Sequence, residues 1–130
     1  MEPLRRILHV DDETDIRDVV ALTLETIAGY KVESCESGTE ALEKAIAFTH
    51  DLILLDIMMP GMDGPTTLQA LRKNPQTASI PVVFVTAKVQ PGDVSRYLEL
   101  GALGVIVKPF GAKALCEHIQ NYWAKHNGVS

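Results

Sequence analysis

The hydrophobic and polar positions of the chain fall into two alternating patterns. Ile7-Leu8-His9-Val10 is a short apolar run that predicts a strand, and Ile16, Val20, Leu24 and Ile27 then recur at helical spacing. Gly29 follows as a stop signal for that helix. Tyr30 to Cys35 alternates loosely, as a half-exposed strand does. Ser37-Gly38-Thr39-Glu40 has the form of a capping box, in which the serine oxygen accepts from the third helical N–H and the glutamate reaches back. The helix it opens carries Leu42, Ala45 and Ile46 on one face. Leu52-Ile53-Leu54-Leu55 is continuously apolar, the pattern of a strand covered on both faces. The turn cluster Pro60-Gly61-Met62-Asp63-Gly64-Pro65 leads into a helix with Leu68 and Leu71. A polar loop follows, and then a fourth strand, Val82-Val83-Phe84-Val85. Pro91-Gly92-Asp93 opens a short, weakly amphipathic helix containing Val94, Tyr97 and Leu98. Gly101 and Gly104 bracket a turn into a fifth strand, Val105-Ile106-Val107. Leu115, Ile119 and Tyr122 give the last helix its inner stripe, and Lys125 to Ser130 reads as a fraying end.

Strand and helix therefore alternate five times, which predicts an α/β fold: a parallel sheet with right-handed crossovers and helices on both faces. The first, third and fourth strands are the most apolar and belong in the centre; the second is a natural edge. Repeats, low-complexity tracts and interdomain linkers are absent from the sequence.

Composition narrows the class. The chain has 130 residues, 46% hydrophobic and 22% charged, which suits one globular domain over residues 1–130 without an effector domain and argues against disorder or a disulfide-stapled miniprotein. Net charge is −5, unevenly spread: residues 1–65 hold 5 basic and 14 acidic side chains, a net −9, and residues 66–130 hold 7 and 3, a net +4. An acidic chain without a basic cluster is a poor candidate for direct nucleic-acid binding. Met1 to Arg6 lead into an apolar run too short for a signal peptide, and no apolar stretch approaches the ~20 residues of a membrane span. Cys35 and Cys116 lie far apart without metal-type spacing, as free thiols in a reducing cytoplasm would.

In open parallel sheets, ligands bind beyond the carboxyl ends of the strands. Asp11-Asp12-Glu13 follow strand one, Asp56 ends strand three, Thr86 ends strand four, and Lys108-Pro109 follow strand five. Each has an ordinary structural explanation. Asp12 suits a helix cap, Asp56 an Asx-turn into the Met58-Met59-Pro60 loop, Thr86 a strand end and Lys108 a solvent-facing lysine. Those explanations do not account for acids, hydroxyl and ammonium sharing one sheet end. Clustered carboxylates repel and call for a cation. An all-oxygen site suits Mg²⁺, which keeps waters and phosphate oxygens in its shell. A carboxylate in such a site can attack phosphorus to give an aspartyl phosphate, with a hydroxyl and an ammonium serving the transferred oxygens.

The run Leu52-Ile53-Leu54-Leu55-Asp56-Ile57-Met58-Met59-Pro60-Gly61-Met62-Asp63-Gly64 closely resembles the phosphorylation-site segment of bacterial response-regulator receiver domains, and the likeness extends over nearly the whole chain. The resemblance implies a flavodoxin-like, doubly wound five-stranded sheet in the order 2-1-3-4-5 with five helices. It makes Asp56 the phosphoacceptor, with Asp11 and Asp12 the acidic pair for Mg²⁺. Asp12 is the expected direct ligand, joined by Asp56 and the backbone carbonyl of Met58. Thr86 matches the switch hydroxyl and Lys108 the family lysine, with a cis Lys108–Pro109 bond. The implied phosphoryl donor is a histidine kinase, a phosphotransfer protein or acetyl phosphate. A downstream protein would bind the face made by helix four, strand five and helix five. One position departs from the pattern: Val105 stands where many receivers carry a Tyr or Phe that swings inward, so the switch is expected to run through Thr86, Ala87 and Lys88.

Rival readings find less support. A Mg²⁺-dependent phosphatase using Asp56 as nucleophile would want a general acid two residues on, where Met58 cannot transfer a proton. A flavin module would want a phosphate loop where Asp11-Asp12-Glu13 stand, and the glycine-rich loop of a nucleotide site is missing. His9 is expected to be a satisfied core histidine, Met58, Met59 and Met62 to pack their loop, and Cys116 and His118 to face apart.

Overall fold

The computed structural model describes residues 3–128; Met1, Glu2, Val129 and Ser130, which include the ends of the leader and tail read from the sequence, lie outside them. The elements run β1 (Arg6–Val10), α1 (Thr14–Ile27), β2 (Lys31–Cys35), α2 (Gly38–Ala47), β3 (Leu52–Asp56), α3 (Gly64–Lys73), β4 (Val82–Thr86), α4 (Asp93–Glu99), β5 (Gly104–Val107) and α5 (Ala112–His126). All strand pairs are parallel, in the order β2-β1-β3-β4-β5. This is the flavodoxin-like sheet with five helices expected from the sequence.

Period-two alternation along the strands divides the core in two. Leu8, Val10, Ile53, Leu55, Val82 and Phe84 face one side, under Ala41 and Ala45 of α2, Leu68 and Leu71 of α3 and Tyr97 of α4. Ile7, Leu52, Leu54, Val83, Val85 and Ile106 face the other, under Val20 and Leu24 of α1 and Leu115 and Ile119 of α5. β3 and β4 are buried at every position, which accounts for their continuous apolar runs.

Local signals decide the helix ends. The Ser37 hydroxyl accepts from the Glu40 N–H at 3.1 Å, as the capping box requires, while Glu40 turns to Lys44, 3.8 Å away. Gly29 takes φ +75°, a left-handed stop open to glycine. Several local expectations shift. Ile27 is exposed, so the inner stripe of α1 is narrower than the periodicity suggested, and with Ile46 exposed and Ala41 buried that of α2 is shifted. α5 runs to His126, past the Lys125 at which the sequence suggested fraying. Met58 is 74% exposed, whereas Met59 is buried and Met62 packs half-buried against Gly38. Among the described residues no helix is long and apolar enough to cross a membrane, and Cys35 and Cys116 are both free and buried.

Candidate functional site

Parallel strands of similar length end together, so β1, β3, β4 and β5 deliver Asp11, Asp56, Thr86 and Lys108 to one end of the sheet. Backbone hydrogen bonds fix that rim: Asp11 N–H donates to Cys35 O, Ile57 N–H to Val85 O and Lys108 N–H to Thr86 O. The Lys108–Pro109 bond is cis.

Asp11 is fully buried, Asp56 is 4% exposed, and Asp12 is exposed. One carboxylate oxygen from each of the three lies within 4.8 Å of the others. The Lys108 ammonium donates to Asp11 Oδ2 at 2.9 Å and stands 3.7 Å from Asp56 Oδ2. Asp11 Oδ1 accepts from the Glu13 N–H at 2.9 Å, and its carbonyl accepts from Arg17 Nη1 at 2.7 Å. The helix cap that Asp12 could have supplied is not made. Glu13 is the N-cap of α1, without a side-chain bond, and Asp11 serves the Glu13 amide. Asp56 Oδ1 accepts a long bond, 3.4 Å, from the Met58 N–H, which is the Asx-turn read from the sequence.

The electrostatics follow from this crowding. Burial first, and then the neighbouring Asp11 carboxylate, push the Asp56 carboxyl up to about 6 against the pull of Lys108. Burial works against the Lys108 charge, but the hydrogen bond to Asp11 and the Asp56 carboxylate outweigh it and raise its pKa. Two carboxylates thus share one ammonium, and the site is short of positive charge. His9, behind it on β1, is lowered to about 4, chiefly by burial, and its Nδ1 has no hydrogen-bond partner among the described residues; it is a buried core histidine but not a satisfied one.

Thr86 is buried, and its hydroxyl is engaged by its own loop: it donates to Lys88 O at 3.1 Å and accepts from the Lys88 N–H at 3.3 Å. On the other flank the first turn of α3 crosses the backbone of the Asp56 loop. A Cβ on Gly64 would lie 2.7 Å from Asp56 O and 2.8 Å from Ile57 Cα, and the Gly64 N–H donates to Ile57 O at 3.0 Å. Glycine is required there for a close approach, not for a positive φ. The sequence marked Gly64 only as part of a turn cluster. It also gave no sign of the Lys108–Asp11 pair across 97 positions, nor of the Arg17 bond to the Asp11 carbonyl.

The donor set is oxygen only, from three carboxylates with one half-buried ammonium beside them. That chemistry fits a small hard divalent cation and not a zinc or copper site.

Comparison with known proteins bears on the fold and the family. The profile of the response regulator receiver domain matches residues 7–120. Over 115 residues the chain is 37% identical to the DNA-binding dual master transcriptional regulator RpaA of Synechocystis and 39% identical to the probable transcriptional regulator ycf27 of Cyanidium caldarium. Each match takes in 88% of this chain, against 47% and 45% of those proteins, so the chain spans about half the length of the curated relatives it matches. The crystal structure of the chemotaxis protein CheY4 of Vibrio cholerae superposes with a TM-score of 0.86 at 35% identity, covering 92% of this chain and 99% of that one.

Proposed function

The chain belongs to the response regulator receiver domain family, a family of signalling domains, and from that premise we propose that residues 1–130 act as a single phosphoacceptor module of a two-component phosphorelay. Asp56 takes a phosphoryl group from a histidine kinase, a phosphotransfer protein or acetyl phosphate. The observation that carries this reading is the buried Asp56 carboxylate lying beside Asp11 and within 3.7 Å of the Lys108 ammonium at the carboxyl end of the sheet.

In this reading a carboxylate oxygen of Asp56 forms the new P–O bond as the bond from phosphorus to the donor breaks, and the donor atom keeps the electron pair. Asp11, Asp12, Asp56 and the Met58 carbonyl would hold Mg²⁺, whose charge offsets the carboxylates and the incoming phosphoryl oxygens. Lys108 already sits between Asp11 and Asp56, so its ammonium can pair with a phosphoryl oxygen without crossing solvent. The Thr86 hydroxyl exchanges its weak bond to Lys88 O for a phosphoryl oxygen, and the loop after β4 follows it. The face made by α4, β5 and α5, altered at α4, is then read by a downstream protein.

Intact-mass measurement after incubation with acetyl phosphate and Mg²⁺ tests this. Wild type should gain one phosphoryl group, lost on treatment with hydroxylamine, and Asp56→Asn should gain none. Continued Mg²⁺-dependent labelling of that variant would refute the assignment. Steady turnover of a small phosphomonoester would favour a phosphatase instead.

A further inference from the structure

α4 has seven residues, is capped by Gly92 at φ +88° without a side-chain bond, and buries one side chain of its own, Tyr97. That ring packs edge-on against Phe84 of β4, centroids 5.2 Å apart and planes at 74°. The Arg96 guanidinium lies over it at 5.0 Å and donates to the Tyr97 hydroxyl at 3.2 Å, while also meeting Asp93 at 3.2 Å. Tyr97 faces a cavity of about 280 Å³ that it shares with Ile57, Met58, Thr86, Ala87 and Lys88. The Thr86 loop and the Asp56 loop are thus two walls of the space beside the ring.

The position expected to carry the moving aromatic is closed by contrast. Val105 has no ring, and its main chain is clasped from α5: the Val105 N–H donates to the Tyr122 hydroxyl at 3.3 Å, which in turn donates to the Val105 carbonyl at 2.9 Å. The Tyr122 ring lies where a Cβ on Gly104 would be, 2.2 Å from its nearest atom. Residue 105 is held by its backbone and offers nothing to swing.

We propose that Tyr97 is the positioning residue that couples Thr86 to the surface of α4, in place of an aromatic at residue 105. The inference rests on the reading of Asp56 as phosphoacceptor. When the Thr86 hydroxyl leaves Lys88, the wall of the cavity facing Tyr97 changes shape and the ring turns into the space. The Arg96 bonds to Tyr97 and Asp93 break with it, and the exposed Val94 and Leu98 move with their helix.

The chain has three tyrosines, so protein labelled with 3-fluorotyrosine gives three fluorine resonances, assigned by Tyr→Phe substitution. On adding Mg²⁺ with beryllofluoride, the Tyr97 resonance should shift while those of Tyr30 and Tyr122 hold, and amide resonances should shift at Asp56, Met58 and along α4. Tyr97→Leu should keep the amide shifts at Asp56 and Met58 and lose those of α4; Tyr97→Phe should restore them. Shifts at Asp56 and Met58 with a silent Tyr97, a moving Tyr122, or an α4 response that survives in Tyr97→Leu would each overturn the coupling and leave the phosphoacceptor reading intact. No amide response at Asp56 would overturn that reading and the coupling with it. The fluorine measurement on wild type decides the matter even where Tyr97→Leu fails to fold.

Discussion

Asp56 costs the metal-free protein stability, and the cost can be worked out. Burial and Asp11 raise its carboxyl from 3.8 to about 6. A folded pKa above the unfolded one means that the fold favours the protonated acid, so the penalty is present above the folded value and absent below the unfolded one. Two pKa units at about 1.4 kcal/mol each give about 3 kcal/mol at pH 8. The penalty halves near pH 5 and is nearly gone by pH 4. Asp56→Asn keeps the shape and the acceptor for the Met58 N–H and removes the charge. Without Mg²⁺ it should be more stable than wild type at pH 8, by roughly 10 °C in thermal midpoint for a chain of this length. The gap between the two should close as pH falls to 4. Mg²⁺ should narrow the gap at pH 8 by binding the wild-type carboxylates in the folded state only. Thermal melts of both proteins across this range, with and without Mg²⁺, provide the measurement. A variant no more stable than wild type at pH 8, or a gap that persists at pH 4, would refute the argument.

Three further outcomes follow from other contacts. Lys108→Ala leaves the fully buried Asp11 without its cation, and urea denaturation without Mg²⁺ should show a loss of about 3 kcal/mol that Mg²⁺ largely restores; a loss indifferent to Mg²⁺ would assign the lysine a different part. Gly64→Ala drives a Cβ into the Asp56 and Ile57 backbone, and should cost on the order of 3 kcal/mol and slow labelling by acetyl phosphate; unchanged values of both would show that the turn can give. Tyr122→Phe strips Val105 of both hydrogen bonds, and should cost about 1–2 kcal/mol and speed exchange of the Val105 amide, while the phosphorylation chemistry is unaffected.

The sequence made legible whatever depends on a period or on the order of strands. The apolar run at 52–55 announced a strand covered on both faces and that at 82–85 a central one, and strand order then placed Asp11, Asp56, Thr86 and Lys108 at one rim. Contacts between distant parts of the chain left no such trace. Lys108 was legible as a countercharge but not as the partner of Asp11, because nothing in the spacing of the two shows which acid the ammonium will meet. Asp12 suited a helix cap as well as a metal site, because pattern does not show which of two adjacent aspartates will take up a backbone N–H. Tyr97 and Tyr122 read as apolar stripe positions because periodicity reports the face a residue occupies and not the use its hydroxyl finds.

The Tyr122 clasp on Val105 also governs how two proteins can meet along this side. β5 is an outer strand, and an outer strand ordinarily offers free N–H and C=O groups to which a foreign strand can add. Here a phenol already occupies both groups at the middle of a four-residue strand, so continuing the sheet into a neighbour would first require stripping that hydroxyl away. Contacts made on this flank must therefore be built from side chains and helix surfaces, which can be remodelled by a small shift in α4 and released again. A β-ladder joining two chains would be slow to undo, and the reversible switching proposed for this chain is better served without one.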